Sequence, residues 1–473
     1  MENNALDDAF HRKYWHIVRR IVRAVATIFI IVSVLLNKKS IAWLLGKATS
    51  FSETTITIII ELEILLFLIG ILLLLADYFF LRKSSDKTKE RVIALMISGC
   101  IILLLLLFAE IIIRIAYPQN TLSELKSVSP KIYENTTYIS WKLKPNTIGI
   151  IVTGEFNATY VINSYGMRDK ERNIFKRENI TRILVLGDSC TVGFSVEQNE
   201  TYPTLLEEYL NKKAKNKQIE VWNAGVLGYG PDAEYVTLNN IIEEIKPDIV
   251  LVGFYMGNDV QDLSRTEWIT DNHGLPITVT SKIYTVQENQ LTLKSISTTI
   301  YGEFLRYTNI FFLRWSHLYI LLKNIIYHTG TRSLEAVPMF MENPSFEVQE
   351  ELNENWQQTE MLLLAMKNKS EENNASFVIV FIPPRLQVDE KEWDYVNATF
   401  QKYNLSRELP TQRIQAWCVA YSVLCIDSFP VFYSLSFQET LYHTLSDDHL
   451  TALGNQRLAE IIAENLIVKE STH

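Results

Sequence analysis

The chain has 473 residues, which exceeds one ordinary domain and, at roughly 100–200 residues per domain, indicates two to four structural units. Its formal net charge is −9, from 45 Lys and Arg against 54 Asp and Glu. This acidic balance argues against a nucleic-acid-binding protein, because phosphate binding needs clustered Lys and Arg.

Three long apolar runs occupy the first part of the chain, at residues 21–36, 57–80 and 92–109. A helix that crosses a bilayer needs roughly 20 apolar residues, so we predict about three transmembrane helices, of which the first is the weakest. A cleaved signal peptide is the alternative for the first run. Basic residues precede the first run and separate the second from the third. The positive-inside rule places the N-terminus in the cytoplasm, and three spans then place everything after residue 117 outside it. With only two spans that second conclusion reverses.

Eight Asn-x-Ser/Thr sequons follow the last apolar run, as in an exported domain, although an Asn-rich chain also makes such tripeptides by chance. Cys418 and Cys425 are close enough in sequence to pair, but spacing leaves free thiols equally open. The predicted regions are a cytoplasmic segment at 1–20, a transmembrane region at 21–116, an extracytoplasmic linker or β-rich segment at 117–180 and a soluble domain at 181–473.

Apolar segments with strand and helix patterns alternate along the soluble domain. The predicted strands are 183–186, 220–223, 248–254, 376–382 and 423–426. The predicted helices are 202–213, 235–245, 356–367, 411–421 and 450–466. Such alternation predicts an α/β fold with a parallel sheet, and reactive groups gather at the carboxyl ends of its strands.

The alternation is interrupted by a predicted insertion at residues 260–345. It contains a predicted hairpin at 277–293 and a helical stretch with aromatic residues at steps of three and four: Phe304, Tyr307, Phe311, Trp315 and Tyr319. This stretch is interpreted either as a lid over the site or as the core of an inserted subdomain, and the latter interpretation is favoured.

Two short motifs follow the first two predicted strands. Gly187-Asp188-Ser189 comes first, where glycine permits a sharp turn and Ser189 starts the next helix near free N–H donors. Taken alone, this motif is equally a turn with a helix cap. The second motif is a glycine-rich loop at residues 223–230, which can present a backbone N–H to a substrate carbonyl or form an ordinary strand-to-helix turn.

Two further motifs follow later predicted strands. Gly257-Asn258-Asp259 closes the third strand, and the Asn258 amide can donate to an oxyanion. Asp447-Asp448-His449 precedes the last helix. A catalytic base needs a third group that orients its imidazole, and an acid two residues earlier can do so. His443 is the nearest rival for the base.

Together, the four motifs resemble the SGNH hydrolases, also called the GDSL lipase/acylhydrolase superfamily, over residues 181–466. The resemblance implies a flavodoxin-like, three-layer α/β/α domain with a parallel sheet. It implies that Ser189 is the nucleophile and His449 the base. Many members have Asp three residues before the His, but this chain has Ser446 there. The expected orienting acid is therefore Asp447, two residues before the His, as in related polysaccharide O-acetyltransferases.

The resemblance also implies three oxyanion donors: the Ser189 backbone N–H, a glycine N–H and the Asn258 side chain. Gly228 is the expected glycine, because its spacing from Asn223 matches the family's second block, and Gly225 is the alternative. No metal and no organic cofactor are expected. A further segment at residues 163–168, Asn-Ser-Tyr-Gly-Met-Arg, is similar to a stretch that precedes this domain in many bacterial members, and we expect it to serve packing.

The predicted function is that of a membrane-anchored, extracytoplasmic serine esterase acting on ester-linked acyl groups of envelope glycans or lipids. One alternative is an O-acyltransferase that modifies a surface polysaccharide. Another is a catalytically inactive envelope protein that binds glycans. The sequence does not indicate an oligomeric state.

Overall fold

The computed structural model describes residues 2–35, 53–81, 86–117, 131–152, 156–214, 217–294, 312, 316–328, 336–443 and 449–470. The chain divides into two compact units. Met1–Gln119 and Trp315–Leu318 form the first unit, and Asn120–Arg314 with Tyr319–His473 form the second.

The described part of the first unit contains three long helices. They are α1 (Glu2–Leu35), α2 (Glu53–Ala76), which continues into a π-helical turn at Asp77–Leu81, and α3 (Asp86–Ala116). At the contact between α1 and α2, a Cβ atom on Gly70 would lie 2.6 Å from Cγ1 of Ile30, so only glycine allows this close approach. Asp77 accepts hydrogen bonds from Arg19 at 2.7 Å and from Arg23 at 2.6 Å, which holds the π-helical turn against α1.

The prediction of about three transmembrane helices is not supported. Within the ranges that the structure describes, no helix has both the length and the apolar character needed to cross a membrane.

The second unit is a mixed α/β structure. Its strands are β1 (Tyr133–Glu134), β2 (Lys142–Leu143), β3 (Thr147–Val152), β4 (Asn157–Ile162), β5 (Ile180–Gly187), β6 (Gln218–Asn223), β7 (Ile249–Tyr255), β8 (Thr266–Thr270), β9 (Pro276–Ser281), β10 (Tyr284–Gln287), β11 (Gln290–Leu293), β12 (Ser376–Ile382) and β13 (Leu424–Asp427). The α-helices after α3 are α4 (Ser189–Val192), α5 (Tyr202–Lys213), α6 (Pro231–Ile245), α7 (Asp259–Asp262), α8 (His317–His328), α9 (Phe346–Glu372), α10 (Arg385–Val388), α11 (Glu390–Thr399), α12 (Leu409–Ala420), α13 (Phe429–Leu435) and α14 (Ala452–Glu470).

A five-stranded parallel sheet lies at the centre of this unit, with the strand order β13-β12-β7-β5-β6. Numbered within the sheet, this is the order 2-1-3-4-5 of flavodoxin-like folds. The strand order reverses between β5 and β7. Ligands of such sheets bind beyond the carboxyl ends of the strands at this reversal, so the segments that follow β5 and β7 are the first place to look for a site.

The central strands are buried on both faces because their residues are apolar without alternation. In β5, Leu184 and Leu186 belong to the core that includes α6 and α9, whereas Ile183 and Val185 belong to the core that includes α5 and α14. Helices therefore cover both faces of the sheet, as the sequence predicts.

All five predicted strands of the sheet are confirmed, with small differences at their ends. Helix α6 begins four residues before the predicted start because Pro231 occupies its first turn, where proline's missing N–H is no loss. The hairpin predicted at 277–293 is confirmed for its second half, where β10 pairs with β11 through Glu288 and Asn289, which both have positive φ. The first half differs from the prediction, because β9 pairs with the preceding strand β8. Of the predicted aromatic helix, Tyr319 lies in α8, whereas Phe304, Tyr307, Phe311 and Trp315 lie outside the described residues.

Cys418 and Cys425, which the sequence leaves open, form a disulfide with a Cα–Cα distance of 6.2 Å. It links the end of α12 to β13, the edge strand of the sheet. Cys190, beside Ser189, is buried and is not part of the disulfide.

Candidate active site

Ser189 is the first residue of α4, directly after β5. Gly187 has a φ of +153°, and a Cβ atom at that position would lie 2.0 Å from Oγ1 of Thr191, so the tight turn out of β5 requires glycine. Asp188 caps the helix by accepting a hydrogen bond from the backbone N–H of Cys190 at 2.8 Å. The turn places Ser189 at the carboxyl edge of the sheet, where it is 6 % exposed.

His449 contacts Ser189 directly, although 260 positions separate them. Its Nε2 lies 2.7 Å from the Ser189 Oγ. Two further contacts join the same parts of the chain: the Ser195 hydroxyl donates to the Leu450 carbonyl at 2.6 Å, and the Phe194 ring lies 4.8 Å from the His449 ring. When Nε2 is unprotonated it can accept the hydroxyl proton, which is the geometry of a nucleophile and its base.

His443, the rival histidine, is oriented differently. Its ring packs against Phe156 at 5.1 Å, and its backbone N–H donates to the carbonyl of His449 at 2.9 Å. The structure therefore places His443 as a neighbour that supports the backbone of His449.

The expected orienting acid, Asp447, lies outside the described residues. A different acid contacts the nucleophile. Asp188 is fully buried, and its Oδ2 lies 3.2 Å from the Ser189 Oγ, within reach of a hydrogen bond from the hydroxyl. Burial raises the pKa of Asp188, whereas the Cys190 N–H and the nearby His449 lower it. Sequence reasoning treats Asp188 as part of a turn and misses its proximity to His449.

The glycine-rich loop after β6 is held against the nucleophile helix by Asn223. The Asn223 amide donates to the Thr191 carbonyl at 3.0 Å, and its carbonyl accepts the N–H of Gly225 at 3.0 Å. The N–H of Gly225 is thus already used within the loop. Gly228 has a φ of +74° and lines the cavity beside Ser189, which favours it over Gly225 as an oxyanion donor.

Asn258 lines the same cavity. It precedes α7, after β7, on the far side of the strand-order reversal from Gly228. Its Nδ2 donates to the Asp262 Oδ2 at 2.9 Å. The structure therefore brings Ser189, Gly228, Asn258 and His449 together at one edge of the sheet.

The cavity in front of Ser189 has a volume of about 440 Å³. Two aromatic residues in its walls come from outside the central sheet. Trp141 precedes β2, and Tyr284 starts β10. The Trp141 indole N–H donates to the Leu227 carbonyl at 3.1 Å, and the Tyr229 hydroxyl donates to the Trp141 carbonyl at 2.6 Å. These bonds fasten the segment before the first central strand to the glycine-rich loop. Sequence reasoning misses Trp141 and Tyr284, because no motif or periodicity marks them.

Several carboxyl groups are buried around the site. Burial raises the pKa of Asp262 to about 7, and it raises the pKa values of Asp232, Glu234 and Asp259 as well. Asp232 accepts hydrogen bonds from Thr266 and from the Trp268 indole. Across the part of the chain that the structure describes, no group of three or more His, Cys, Asp and Glu side chains is arranged to hold a metal ion.

No protein-family model and no curated protein matches the chain. Similar solved structures include TesA, which is 12 % identical with a TM-score of 0.32, over 60 % of this chain and 98 % of that chain. The esterase EstA from Pseudoalteromonas sp. is 12 % identical with a TM-score of 0.30, over 62 % and 99 %. A catalytic mutant of Axe2, an acetylxylan esterase from Geobacillus stearothermophilus, is 11 % identical with a TM-score of 0.32, over 60 % and 94 %. At these values the likeness carries no inference about activity.

Proposed function

We propose that this chain is a serine ester hydrolase of the SGNH type in which Ser189 is the nucleophile and His449 is the general base. The observation that carries the proposal is the 2.7 Å contact between the Ser189 Oγ and the His449 Nε2. It lies where the strand order of a parallel sheet reverses, and it faces a cavity that Gly228 and Asn258 also line.

In the proposed reaction, the Ser189 Oγ attacks the ester carbonyl carbon while His449 Nε2 takes the hydroxyl proton. The carbonyl oxygen becomes an oxyanion, which accepts hydrogen bonds from the Ser189 and Gly228 N–H groups and from the Asn258 amide. Each such donor contributes on the order of 10²–10³ in rate. Collapse of this intermediate breaks the bond to the leaving alcohol, which takes the proton from His449. Water then attacks the acyl-enzyme by the same steps and releases the acid.

Two acids are available to stabilise the imidazolium that forms. Asp447 is proposed as the residue that orients the imidazole, since it stands two positions before His449 in the sequence. Asp188 is already close enough to His449 for a favourable charge interaction. Its negative charge supports a positive imidazole in the transition state, whichever residue holds the other ring nitrogen.

The proposed substrate is an ester-linked acyl group on a glycan or lipid. The cavity of about 440 Å³ offers apolar walls from Ile151 and Leu291 beside the Trp141 and Tyr284 rings, together with the polar side chain of Ser281. Aromatic walls with a few polar groups suit a substrate that presents both apolar faces and hydroxyls.

We also propose that this domain works outside the cytoplasm. The Cys418–Cys425 disulfide supports that location, because disulfides persist in oxidising compartments and are rare where thiols are kept reduced. Protease treatment of intact cells is the test: digestion of the second unit is expected, and its full protection would contradict the proposal. Membrane anchoring through the N-terminal runs stays a prediction from the sequence.

Labelling with a fluorophosphonate probe tests the enzyme proposal. The probe forms a phosphonate ester on an activated serine and releases fluoride. Wild type is expected to be labelled, and Ser189→Ala is expected not to be. Ser164→Ala is the matched control, since this exposed hydroxyl bonds only to Glu171 among the contacts described. A folded wild type without labelling, or a Ser189→Ala variant with full labelling, would contradict the assignment.

Release of acid from an aryl ester, measured with and without a sugar acceptor, then separates hydrolysis from transfer. Free acid as the main product supports the hydrolase. Acylated sugar as the main product would instead establish an acyltransferase that uses the same residues.

A further inference from the structure

The Asn258 amide is held in one orientation by a neighbouring carboxylate. Its Nδ2 donates one N–H to the Asp262 Oδ2 at 2.9 Å. An amide nitrogen has two N–H groups in one plane, so fixing the first also fixes the second. Among the described residues the Asn258 Oδ1 is buried with no hydrogen-bond partner, so Asp262 is what determines which way the amide faces.

Asp262 is itself held in place. It is 8 % exposed and lines the cavity. Its Oδ1 accepts a hydrogen bond from Arg265 at 2.7 Å, and its backbone N–H donates to the Asn258 carbonyl at 2.8 Å. An ionised carboxylate can only accept hydrogen bonds, so it selects the amide nitrogen of Asn258 and rejects the oxygen.

We propose that Asp262 is a positioning residue for the oxyanion donor Asn258, and that its ionised form keeps the second amide N–H available to the oxyanion. This inference rests on the proposed function. A protonated Asp262 can instead donate to the Asn258 Oδ1. Rotation of the amide by half a turn would then place its oxygen where the nitrogen stands, and the oxyanion would lose a donor.

The groups around Asp262 set the pH range in which its carboxyl is protonated. Burial raises the pKa of Asp262 to about 7; Arg265 opposes the shift, and Asp188 and Asp232 add to it. Asp262 in turn raises the pKa of Asp259. Activity is therefore expected to fall on acidification through about pH 7 by protonation of Asp262, in addition to any protonation of His449.

Once wild type is shown to hydrolyse an ester, the Asp262→Asn substitution tests the inference. We expect kcat to fall about tenfold or more, with KM within about threefold, because a donor to the oxyanion is misplaced while the cavity keeps its shape. The acid limb of the pH profile should become shallower, since one of two ionisations is gone. Wild-type kcat with an unchanged pH profile would overturn the inference.

A double-mutant cycle with Asn258→Ala separates positioning from a general structural role. If Asp262 acts through Asn258, the Asp262→Asn/Asn258→Ala double variant should be no slower than Asn258→Ala alone. If the double variant instead shows the product of the two single-variant losses in kcat, the inference is overturned. Absence of fluorophosphonate labelling in wild type would instead refute the proposed function, so the two failures differ.

Arg265→Gln provides a second variant if Asp262→Asn does not fold. Removal of the guanidinium raises the pKa of Asp262 further, so the acid limb should move to higher pH. An acid limb that stays in place would overturn the inference.

Discussion

The proposed catalytic imidazole of His449 needs a partner that stabilises its charge, and the structure places Asp188 near it. Asp188 is buried and contacts the Ser189 hydroxyl at 3.2 Å. Burial raises the pKa of Asp188, and the nearby His449 opposes that rise. Asp188 also caps α4 through the Cys190 N–H. In the sequence, Asp188 is indistinguishable from an ordinary helix cap, because capping and charge stabilisation use the same residue type.

Asp447→Asn should lower kcat by on the order of 10²-fold or more, because an amide at this position can hold the wrong tautomer of His449. Steady-state hydrolysis of an aryl ester gives the measurement, and Asp448→Asn is the matched control with near wild-type kcat. If Asp448→Asn abolished activity and Asp447→Asn did not, the orienting acid would have to be reassigned.

Among the secondary-structure elements, the segment after α4 depends on a buried arginine from the stretch at residues 163–168. Arg168 is fully buried, and its guanidinium donates to the carbonyls of Val192, Gly193, Val196 and, in β4, Thr159. These bonds hold residues 192–196, the segment that carries the Phe194 ring against His449. The sequence analysis expects this stretch to serve packing. The structure shows in addition that Arg168 donates hydrogen bonds to four backbone carbonyls.

Arg168→Lys should lower the free energy of unfolding by about 2 kcal/mol or more, since an ammonium cannot reproduce the planar fork and leaves buried carbonyls unpaired. Urea denaturation measures the change. Arg177→Lys, at an exposed position a few residues later, is the control and should stay within about 0.5 kcal/mol of wild type. Equal stability of the two variants would show that the Arg168 bonds contribute nothing.

The elements that the sequence predicts correctly are those with a strong local pattern. β5, β7 and β12 are largely continuous apolar runs, and the carboxyl ends of β5 and β7 carry the motifs at Ser189 and Asn258. The cavity walls are not predicted because β1 and β2 have two residues each and form a separate two-stranded sheet. Trp141 contacts Leu227 across 86 positions, a relation that no local periodicity contains.

On the scale of the whole molecule, the cluster of buried acids couples stability to pH. Glu234, in the first turn of α6, is 1 % exposed, and neither carboxylate oxygen has a hydrogen-bond partner among the described residues. Burial raises its pKa well above the ordinary value, with Asp188 and Asp232 adding to the shift. The folded chain thus keeps a proton that the unfolded chain has lost, so this group lowers stability progressively as the pH rises above about 4.

Glu234→Gln should remove that dependence, because Gln is neutral at every pH. The free energy of unfolding of the variant minus that of wild type is expected to increase between about pH 4 and pH 8. Thermal or urea unfolding across this range measures it, and the exposed Glu244→Gln on the same helix is the control. A constant difference across the range would mean that Glu234 titrates alike in the folded and unfolded chains.

The contact between residues 189 and 449 also sets an order of events during synthesis. A ribosome completes the nucleophile, the glycine-rich loop and the first three strands of the sheet well before it reaches the imidazole. Until Leu450 emerges and its carbonyl accepts the Ser195 hydroxyl, the nascent domain holds the proposed nucleophile without its proposed base. In the proposed mechanism activity therefore requires residue 449, and a chain that ends before it lacks the proposed base.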